Sequence, residues 1–249
     1  MAQAQAFLQA RRPAAAVRLL EGLVEREPHN ALAHQELAVA LAAAARYTPA
    51  VQAARRALEL EPALARPHSV LAWIALNTDR FDEAEAEYRS CLAAIPETER
   101  AERAAVYNKL AMVDFRREAY RPAADTLMRA LELDPQNAAY HFNLAMLYRQ
   151  VGQARDCQAQ LERTLALPEV PETIAHTARF NLGHLYARQG RYQQAREQFA
   201  QALALRRTFL GRLFQRLPFL ARFELPALAM YLALAIVVLT AVLLVILWR

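Results

Sequence analysis

Apolar and small residues recur along the chain with a period of 34 residues, which lengthens at two joints. Leucines hold one position of the period, each followed by a small residue, at Leu37-Ala38, Leu71-Ala72, Leu110-Ala111, Leu144-Ala145 and Leu182-Gly183. A second position holds Ala16, Ala50, Ala84, Ala123, Cys157 and Ala195. Small residues at fixed offsets let two helices approach closely, while larger neighbours fill the remaining gaps. The pattern therefore predicts a series of helix pairs.

Prolines mark the ends of these pairs. Pro28, Pro62 and Pro96 stand 34 residues apart. Because proline cannot continue a helix interior, each is expected to end a second helix and to begin the turn into the next unit. A single pair cannot bury its apolar face alone, so self-similarity at this period predicts a solenoid in which each unit packs on its neighbours.

The most regular copy lies near the end of this series. It reads Asn181-Leu-Gly-His-Leu-Tyr186, then Gly190-Arg-Tyr192, then Ala195, Phe199 and Ala202. This resembles the tetratricopeptide repeat, with W-x2-L-G-x2-Y in its first helix and A-x3-F-x2-A before a closing proline. The resemblance implies an all-α, right-handed superhelical solenoid of antiparallel helix pairs over residues 1–209. Its six units are residues 1–30, 31–64, 65–98, 104–137, 138–171 and 176–209.

The copies depart from the family pattern at several positions. The tryptophan of the first helix is replaced by His34, His68, Tyr107, His141 and Arg179. Because the histidines recur with the repeat itself, we interpret them as scaffold residues and predict no metal site. Asp114 stands where other copies have Leu41, Tyr148 or Tyr186. Residues 99–103 are inserted, and the proline of the fifth unit has moved to Pro168 and Pro171, so less regular joints are expected after the third and fifth units.

The composition agrees with a helical protein, and the positive charge is concentrated near the C-terminal end of the sequence. The chain is 55% hydrophobic with five glycines and a net charge of +5, and the residues from Arg206 onward supply all of that charge. The preceding part is balanced, which argues against a nucleic-acid-binding face. Lys109 is the only lysine beside many arginines, which indicates a GC-rich, bacterial genome. Cys91 and Cys157 occupy alanine positions and are expected to be small core residues without a disulfide.

The last two dozen residues predict a membrane span. Leu225 to Trp248 contains no charge over 24 residues and would extend roughly 36 Å as a helix, against a hydrocarbon layer of about 30 Å. Tyr231 and Trp248 lie towards its two ends, where interface aromatics occur. A buried core helix is the competing interpretation, but a run that is apolar on every side and this long argues against it.

The arginines around the span predict its orientation. Five precede it and Arg249 follows it; we expect the five to contact the membrane interface together with Tyr231 and Trp248, and they are Arg206, Arg207, Arg212, Arg216 and Arg222. The positive-inside rule then places the solenoid in the cytoplasm. The N-terminus lacks the basic and apolar regions of a signal peptide. We therefore expect a single-pass, tail-anchored protein, with lipid as a partner, in a bacterial inner membrane.

Residues 210–224 form a basic amphipathic segment between the solenoid and the span. An apolar stripe there consists of Phe209, Leu210, Leu213, Phe214 and Leu217, with Arg212 and Arg216 on the opposite side. Two alternatives remain open. The stripe either caps the last repeat, as solenoids require, or lies in the lipid headgroup layer with its arginines on anionic lipid.

The resemblance also implies where a partner binds. First helices of such repeats line a concave groove, and the candidate groove residues are Trp73, Asn108, Lys109, Met112, Arg116, Phe142, Asn143, Met146, Arg149, Phe180, Asn181, His184 and Arg188. In the family, asparagines at the offset of Asn143 and Asn181 often clasp the backbone of an extended peptide. The arginines would favour an acidic segment. The Lys and Asn pair of the clamp that binds chaperone C-termini is absent, so such binding is not expected.

Catalytic signatures are missing from the sequence. It has no nucleophile elbow, phosphate loop, glycine-rich turn, CxxC or HExxH, so we expect no enzyme activity, no cofactor and no small-molecule substrate. The sequence predicts a membrane-tethered scaffold or adaptor that binds a peptide or protein. One alternative is a structural subunit of a membrane complex, whose span packs on neighbouring helices. Another is a regulatory subunit of a membrane enzyme or secretion machine.

Overall fold

The structure is a computed structural model that describes residues 2–215, with side-chain surroundings for residues 3–205, and this part consists of helices and turns. Its helices alternate as first and second members of hairpins. The first members are α1 (Ala2–Gln9), α3 (Ala31–Ala43), α5 (Ala65–Asn77), α7 (Arg100–Arg116), α9 (Ala138–Gln150) and α11 (Glu172–Arg188). The second members are α2 (Pro13–Arg26), α4 (Tyr47–Leu60), α6 (Phe81–Ala94), α8 (Tyr120–Leu133), α10 (Ala154–Ala166) and α12 (Tyr192–Gln215). The predicted all-α series of helix pairs is confirmed.

The hairpins stack in chain order. Each first helix packs on its own second helix, which packs on the first helix of the following pair. First helices also contact one another, α1 with α3, α3 with α5, and α9 with α11. They consequently lie side by side in one inner layer, and the second helices form the outer layer.

The core lies at the repeating positions that the sequence pattern predicts. The alanine position is buried in all six copies, completely so at Ala16, Ala50, Ala84, Ala123 and Cys157. The five leucines of the other position are buried as well. Cys91 and Cys157 are both free and buried, as expected of small core residues. Close helix approach through small side chains thus explains the repeat.

Each hairpin turns through one residue with a positive φ. These residues are Arg11, Ala45, Asp79, Glu118, Gly152 and Gly190, with φ between 55° and 77°. In the second hairpin, the Arg46 amide donates to the Leu41 carbonyl and the Ala45 amide to the Ala42 carbonyl, at 2.9 and 3.0 Å. This satisfies the last carbonyls of the first helix, as a left-handed C-terminal residue commonly does. Four non-glycine residues adopt the same turn, so packing within the repeat enforces it.

At the two joints with extra residues, most of the added length lies in the first helix of the following pair and only one residue in the loop. We predicted an insertion at residues 99–103, but α7 already begins at Arg100 and has 17 residues, against 13 in α5. The guanidinium of Arg103 donates to the carbonyls of Leu92 and Ile95 at 2.9 Å. A cation at the end of α6 satisfies carbonyls that lack partners within the helix, which gives the extra turn a structural role. The other long first helix, α11, also has 17 residues.

At its C-terminal end the described chain is one continuous helix. α12 runs for 24 residues to Gln215 and passes residue 210, where the amphipathic segment was predicted to begin, without a break. No helix among the described residues has both the length and the apolarity needed to cross a bilayer. Predictions for Leu217, Arg216, Arg222, the span 225–248, Tyr231, Trp248 and Arg249 lie outside the described residues, as do those for the side chains of Arg206, Arg207, Phe209, Leu210, Arg212, Leu213 and Phe214.

Candidate partner-binding groove

Large apolar side chains are exposed along the inner layer. Trp73 on α5 is 37% exposed, Met112 and Phe115 on α7 are 48% and 38% exposed, and Phe180 on α11 is 48% exposed. Clustered apolar exposure of this kind is typical of interaction surfaces. Three of these residues belong to the predicted groove.

Among the depressions on this face, the N-terminal cleft is larger than the middle pocket described below. It has a volume of about 680 Å³ and lies between α1, α3, α5 and α7. Trp73 forms part of its wall and packs edge-on against Tyr47, with ring centroids 5.7 Å apart. Leu8 of α1 also lines the cleft, so the shortened first unit contributes to the groove.

Three charged side chains line the N-terminal cleft. Glu36 is 3% exposed, and its Oε1 accepts hydrogen bonds from Arg66 Nη1 at 2.6 Å and from Gln35 Nε2 at 3.3 Å. Lys109 Nζ instead donates to Ser69 Oγ at 2.9 Å and lies 5.9 Å from the ring centroid of Tyr88. Burial lowers the pKa of Lys109. No carboxylate of the described residues forms an ion pair with it.

The middle pocket, between α7 and α9, is smaller and mainly apolar. Its volume is about 180 Å³, and Met112, Phe115 and Met146 form its apolar walls. Asn108 and Asn143 line it as well, with Asn143 Nδ2 donating to Asn108 Oδ1 at 3.0 Å. Among the described residues, the side-chain oxygen Oδ1 of Asn143 and the side-chain nitrogen Nδ2 of Asn108 have no hydrogen-bond partner. The structure thus brings together four of the predicted residues.

Internal contacts occupy other predicted residues. Arg116 forms an ion pair with Asp79, and Arg149 donates to the carbonyl oxygen of Asn181. The amide nitrogen of Asn181 donates to the Thr177 carbonyl at 2.8 Å. These bonds connect neighbouring repeats and use the groups that were expected to bind a partner. Arg188 is exposed at the end of α11, without an ion pair to any residue of the described chain.

The C-terminal end of the groove carries an aromatic cluster. Phe180, His184 and Phe199 meet edge to face, with ring centroids between 4.6 and 5.6 Å apart. Phe142 is half-buried and packs against the core around α9 and α11, so it contributes more to packing than to the groove surface. Whether these predicted residues contact a partner stays a prediction.

The repeating histidines have structural contacts. Nε2 of His34 donates to the Pro28 carbonyl and Nε2 of His141 to the Pro135 carbonyl, each at 3.0 Å. The same side chain therefore secures the preceding turn in two copies. Among residues 2–215, no group of histidine, cysteine and acidic side chains is arranged to hold a metal ion.

Sequence reasoning missed three contributors to the groove. Phe115 follows Met112 by three residues, and this spacing places both on one helix face, so a signal was available. Arg66 and the helix α1 join the N-terminal cleft only through the stacking of three repeats, which no local pattern reveals.

Comparisons with known proteins agree on the fold. Sequence profiles described as tetratricopeptide repeat match residues 1–65, 65–98 and 135–208. PilW, described as a type IV pilus biogenesis factor, is 19% identical with a TM-score of 0.68, over 81% of this chain and 90% of PilW. PilF of Pseudomonas aeruginosa is 19% identical with a TM-score of 0.65, over 88% of this chain and 94% of PilF.

YrrB, described as a TPR protein with an unusual peptide-binding site, is 20% identical with a TM-score of 0.56, over 75% of this chain and 91% of YrrB. No curated protein matches the chain significantly in sequence. Residues 99–134, which no profile matches, form α7 and α8 and complete the series. Repeats of this kind are protein-interaction scaffolds and not enzymes. Together the profiles cover residues 1–98 and 135–208, more than half of the chain, and this chain therefore belongs to the tetratricopeptide repeat family.

Proposed function

We propose that the chain is a membrane-tethered adaptor that holds a peptide or protein partner in its concave face, on the cytoplasmic side of a bacterial inner membrane. The observation that supports binding most directly is the exposure of Trp73, Met112 and Phe180 along the inner layer. In the isolated chain these large side chains leave apolar surface in contact with water. A bound partner would remove that surface from water, which favours binding.

Cross-linking tests the proposed binding face. A photoreactive amino acid is placed at Met112 or Phe180 in the full chain and activated in bacterial cells. The control position is Met128 on α8, in the outer layer, which is 40% exposed. Cross-linked species are expected from the two inner positions and not from Met128. Equal yields from all three positions would contradict a groove-specific partner.

The tether is supported by sequence alone. Residues 225–248 carry no charge, and arginines are concentrated before them, as in segments whose N-terminal side stays in the cytoplasm. Anchoring would confine the repeats to two dimensions and raise their effective concentration near other membrane proteins.

Protease treatment tests the topology. When protease is added to inverted membrane vesicles, it should digest the repeats because they face outward there. In sealed spheroplasts the repeats should stay intact. Protection in inverted vesicles, or release of the full chain from membranes by alkaline carbonate, would contradict the proposed tether.

A second candidate function is an integral subunit of a membrane complex. Ala229, Ala233 and Val237 stand four residues apart, a spacing that lets helices pack closely within a bilayer. Replacing residues 225–248 with an unrelated membrane anchor separates the candidates. An adaptor retains its function after the exchange, whereas a subunit that packs through its span loses it.

A further inference from the structure

Helix α7 lies between the N-terminal cleft and the middle pocket and contributes side chains to both. Lys109 lines the N-terminal cleft and Asn108 lines the middle pocket. Consecutive positions of a helix point about 100° apart, so Asn108 and Lys109 point away from α7 in two different directions. A chain that crosses α7 therefore meets both sites within a few residues.

The N-terminal cleft carries one positive charge that its own residues do not neutralise. Arg66 neutralises Glu36 through a 2.6 Å contact. The near neighbours of Lys109 are instead the hydroxyl of Ser69, the ring of Tyr88 and the thiol of Cys91. Burial raises the pKa of Cys91 to about 11, so this thiol is uncharged at neutral pH. A partly buried cation without a counter-ion is costly. A carboxylate from a partner would supply that counter-ion and gain a charge-assisted hydrogen bond.

The middle pocket has the chemistry of a site for a single apolar side chain. Met112, Met146 and Phe115 supply adaptable apolar walls, and thioethers adjust to the shape of the group they receive. Its volume of about 180 Å³ is below the ~300–1,000 Å³ of pockets that enclose small organic ligands. The free donor of Asn108 and the free acceptor of Asn143 suit a peptide backbone at the pocket edge.

We propose that the groove binds an extended peptide segment in two adjoining subsites, with an Asp or Glu carboxylate on Lys109 and an aliphatic side chain in the middle pocket. This rests on the proposed function and specifies the partner's chemistry. An extended chain rises about 3.3 Å per residue. A helix with its side chains is about 10 Å across, so the two side chains are expected about two or three residues apart in the partner, on either side of α7.

The chain provides a separate reporter for each subsite. Lys109 is the only lysine, so an amine-directed reagent labels it and the N-terminus alone, and protection from labelling reports occupancy of the N-terminal cleft. Carbon-13 methyl resonances of Met112 and Met146 report on the middle pocket. Met128 in the outer layer is the matched control for nonspecific contact.

The probes are synthetic peptides tested on the full chain in one mild detergent. The set contains Ac-Ser-Asp-Thr-Leu-Ser-amide, its three-residue-spaced form, and both with Asp and Leu exchanged in order. Control peptides replace Asp by Asn, or Leu by Ser. At least one acidic peptide should protect Lys109 and shift the Met112 and Met146 resonances with one saturation curve, while Met128 stays unchanged. The Asn control should bind about tenfold more weakly.

Variants separate the carboxylate contact from general charge effects. Lys109→Gln should reduce binding of the acidic peptide to that of its Asn control, and leave the control peptide unaffected. Arg129→Gln, which removes an exposed cation of the outer layer, should change neither. Equal affinity of the acidic and Asn peptides, or the absence of binding by every peptide in the set, would overturn the two-subsite assignment.

These outcomes differ from a failure of the proposed function. If Met112 and Phe180 cross-link a partner in cells but the peptides bind without charge dependence, the groove function stands and the two-subsite inference fails. If inner-layer positions do not cross-link at all, the proposed function itself fails.

Discussion

The turns within the hairpins allow a clean test of what backbone conformation contributes to stability. Ala45 and Gly152 hold the same position in two repeats, with φ values of 57° and 77°. A Cβ added at Gly152 would meet no heavy atom within 4 Å, and Ala45 is exposed. Exchanging glycine and alanine at these positions therefore changes conformational preference with little change in packing.

The expected changes have opposite signs. A left-handed conformation costs a non-glycine residue about 1–2 kcal/mol, and alanine recovers about 0.4–1 kcal/mol because it restricts the unfolded chain. Ala45→Gly should therefore raise the free energy of unfolding by about 0.5–1 kcal/mol, and Gly152→Ala should lower it by a similar amount. For a chain of this length each change shifts Tm by about 1–4 °C.

Thermal unfolding followed by far-ultraviolet circular dichroism measures these shifts, with the full chain in the same detergent throughout. Ala43→Gly is the matched control, since this exposed residue lies in the last turn of helix α3, where glycine should destabilise by up to about 1 kcal/mol. Shifts of the same sign for Ala45→Gly and Gly152→Ala, or stabilisation by the control, would refute the conformational explanation.

Three further predictions concern packing and charge. Gly183→Ala should lower Tm although alanine has the better helix propensity. The added Cβ would lie 2.7 Å from the Phe199 ring, and such overpacking costs about 1–3 kcal/mol. In thermal melts, the further change Phe199→Leu should bring Tm back up. Burial raises the pKa of Asp114, so Asp114→Asn should raise the urea midpoint at neutral pH, and this gain should shrink as pH falls through that raised pKa; a gain independent of pH would contradict the reasoning. Because burial lowers the pKa of Lys109, binding of the acidic peptide should weaken as pH rises through it, measured by Met112 shifts, and Lys109→Gln should remove this pH dependence.

The fold could be predicted from the sequence because the same pattern of small and apolar residues recurs in each of the six repeats. The alanines that recur at Ala16, Ala50 and Ala84 predict a close contact between helices, and all three are completely buried in the structure. Periodicity determined the hairpins, their order and the scaffold role of the recurring histidines. Periodicity is less informative at the joints: it predicts an insertion at residues 99–103, but four of these five residues form the first turn of α7.

The site could be predicted only in part. Helical offsets correctly placed Trp73, Met112 and Met146 on the inner layer, because each lies at a fixed angle on its own helix. Helical offsets did not reveal that Arg149 donates a hydrogen bond to the Asn181 side chain of the neighbouring repeat. Hydrogen bonds between side chains more than thirty residues apart depend on rotamers and on the stacking angle, which local spacing does not specify.

The sequence by itself therefore determined the repeated helix pairs, their buried positions and the concentration of basic charge near the C-terminus, since each is a property of local order. The tertiary structure alone decided that Lys109 keeps no counter-ion while Glu36 has Arg66, and that α7 lies between the N-terminal cleft and the middle pocket. The physical reason is that charge compensation and cavity shape arise between repeats, from atoms that the chain brings together only when it stacks.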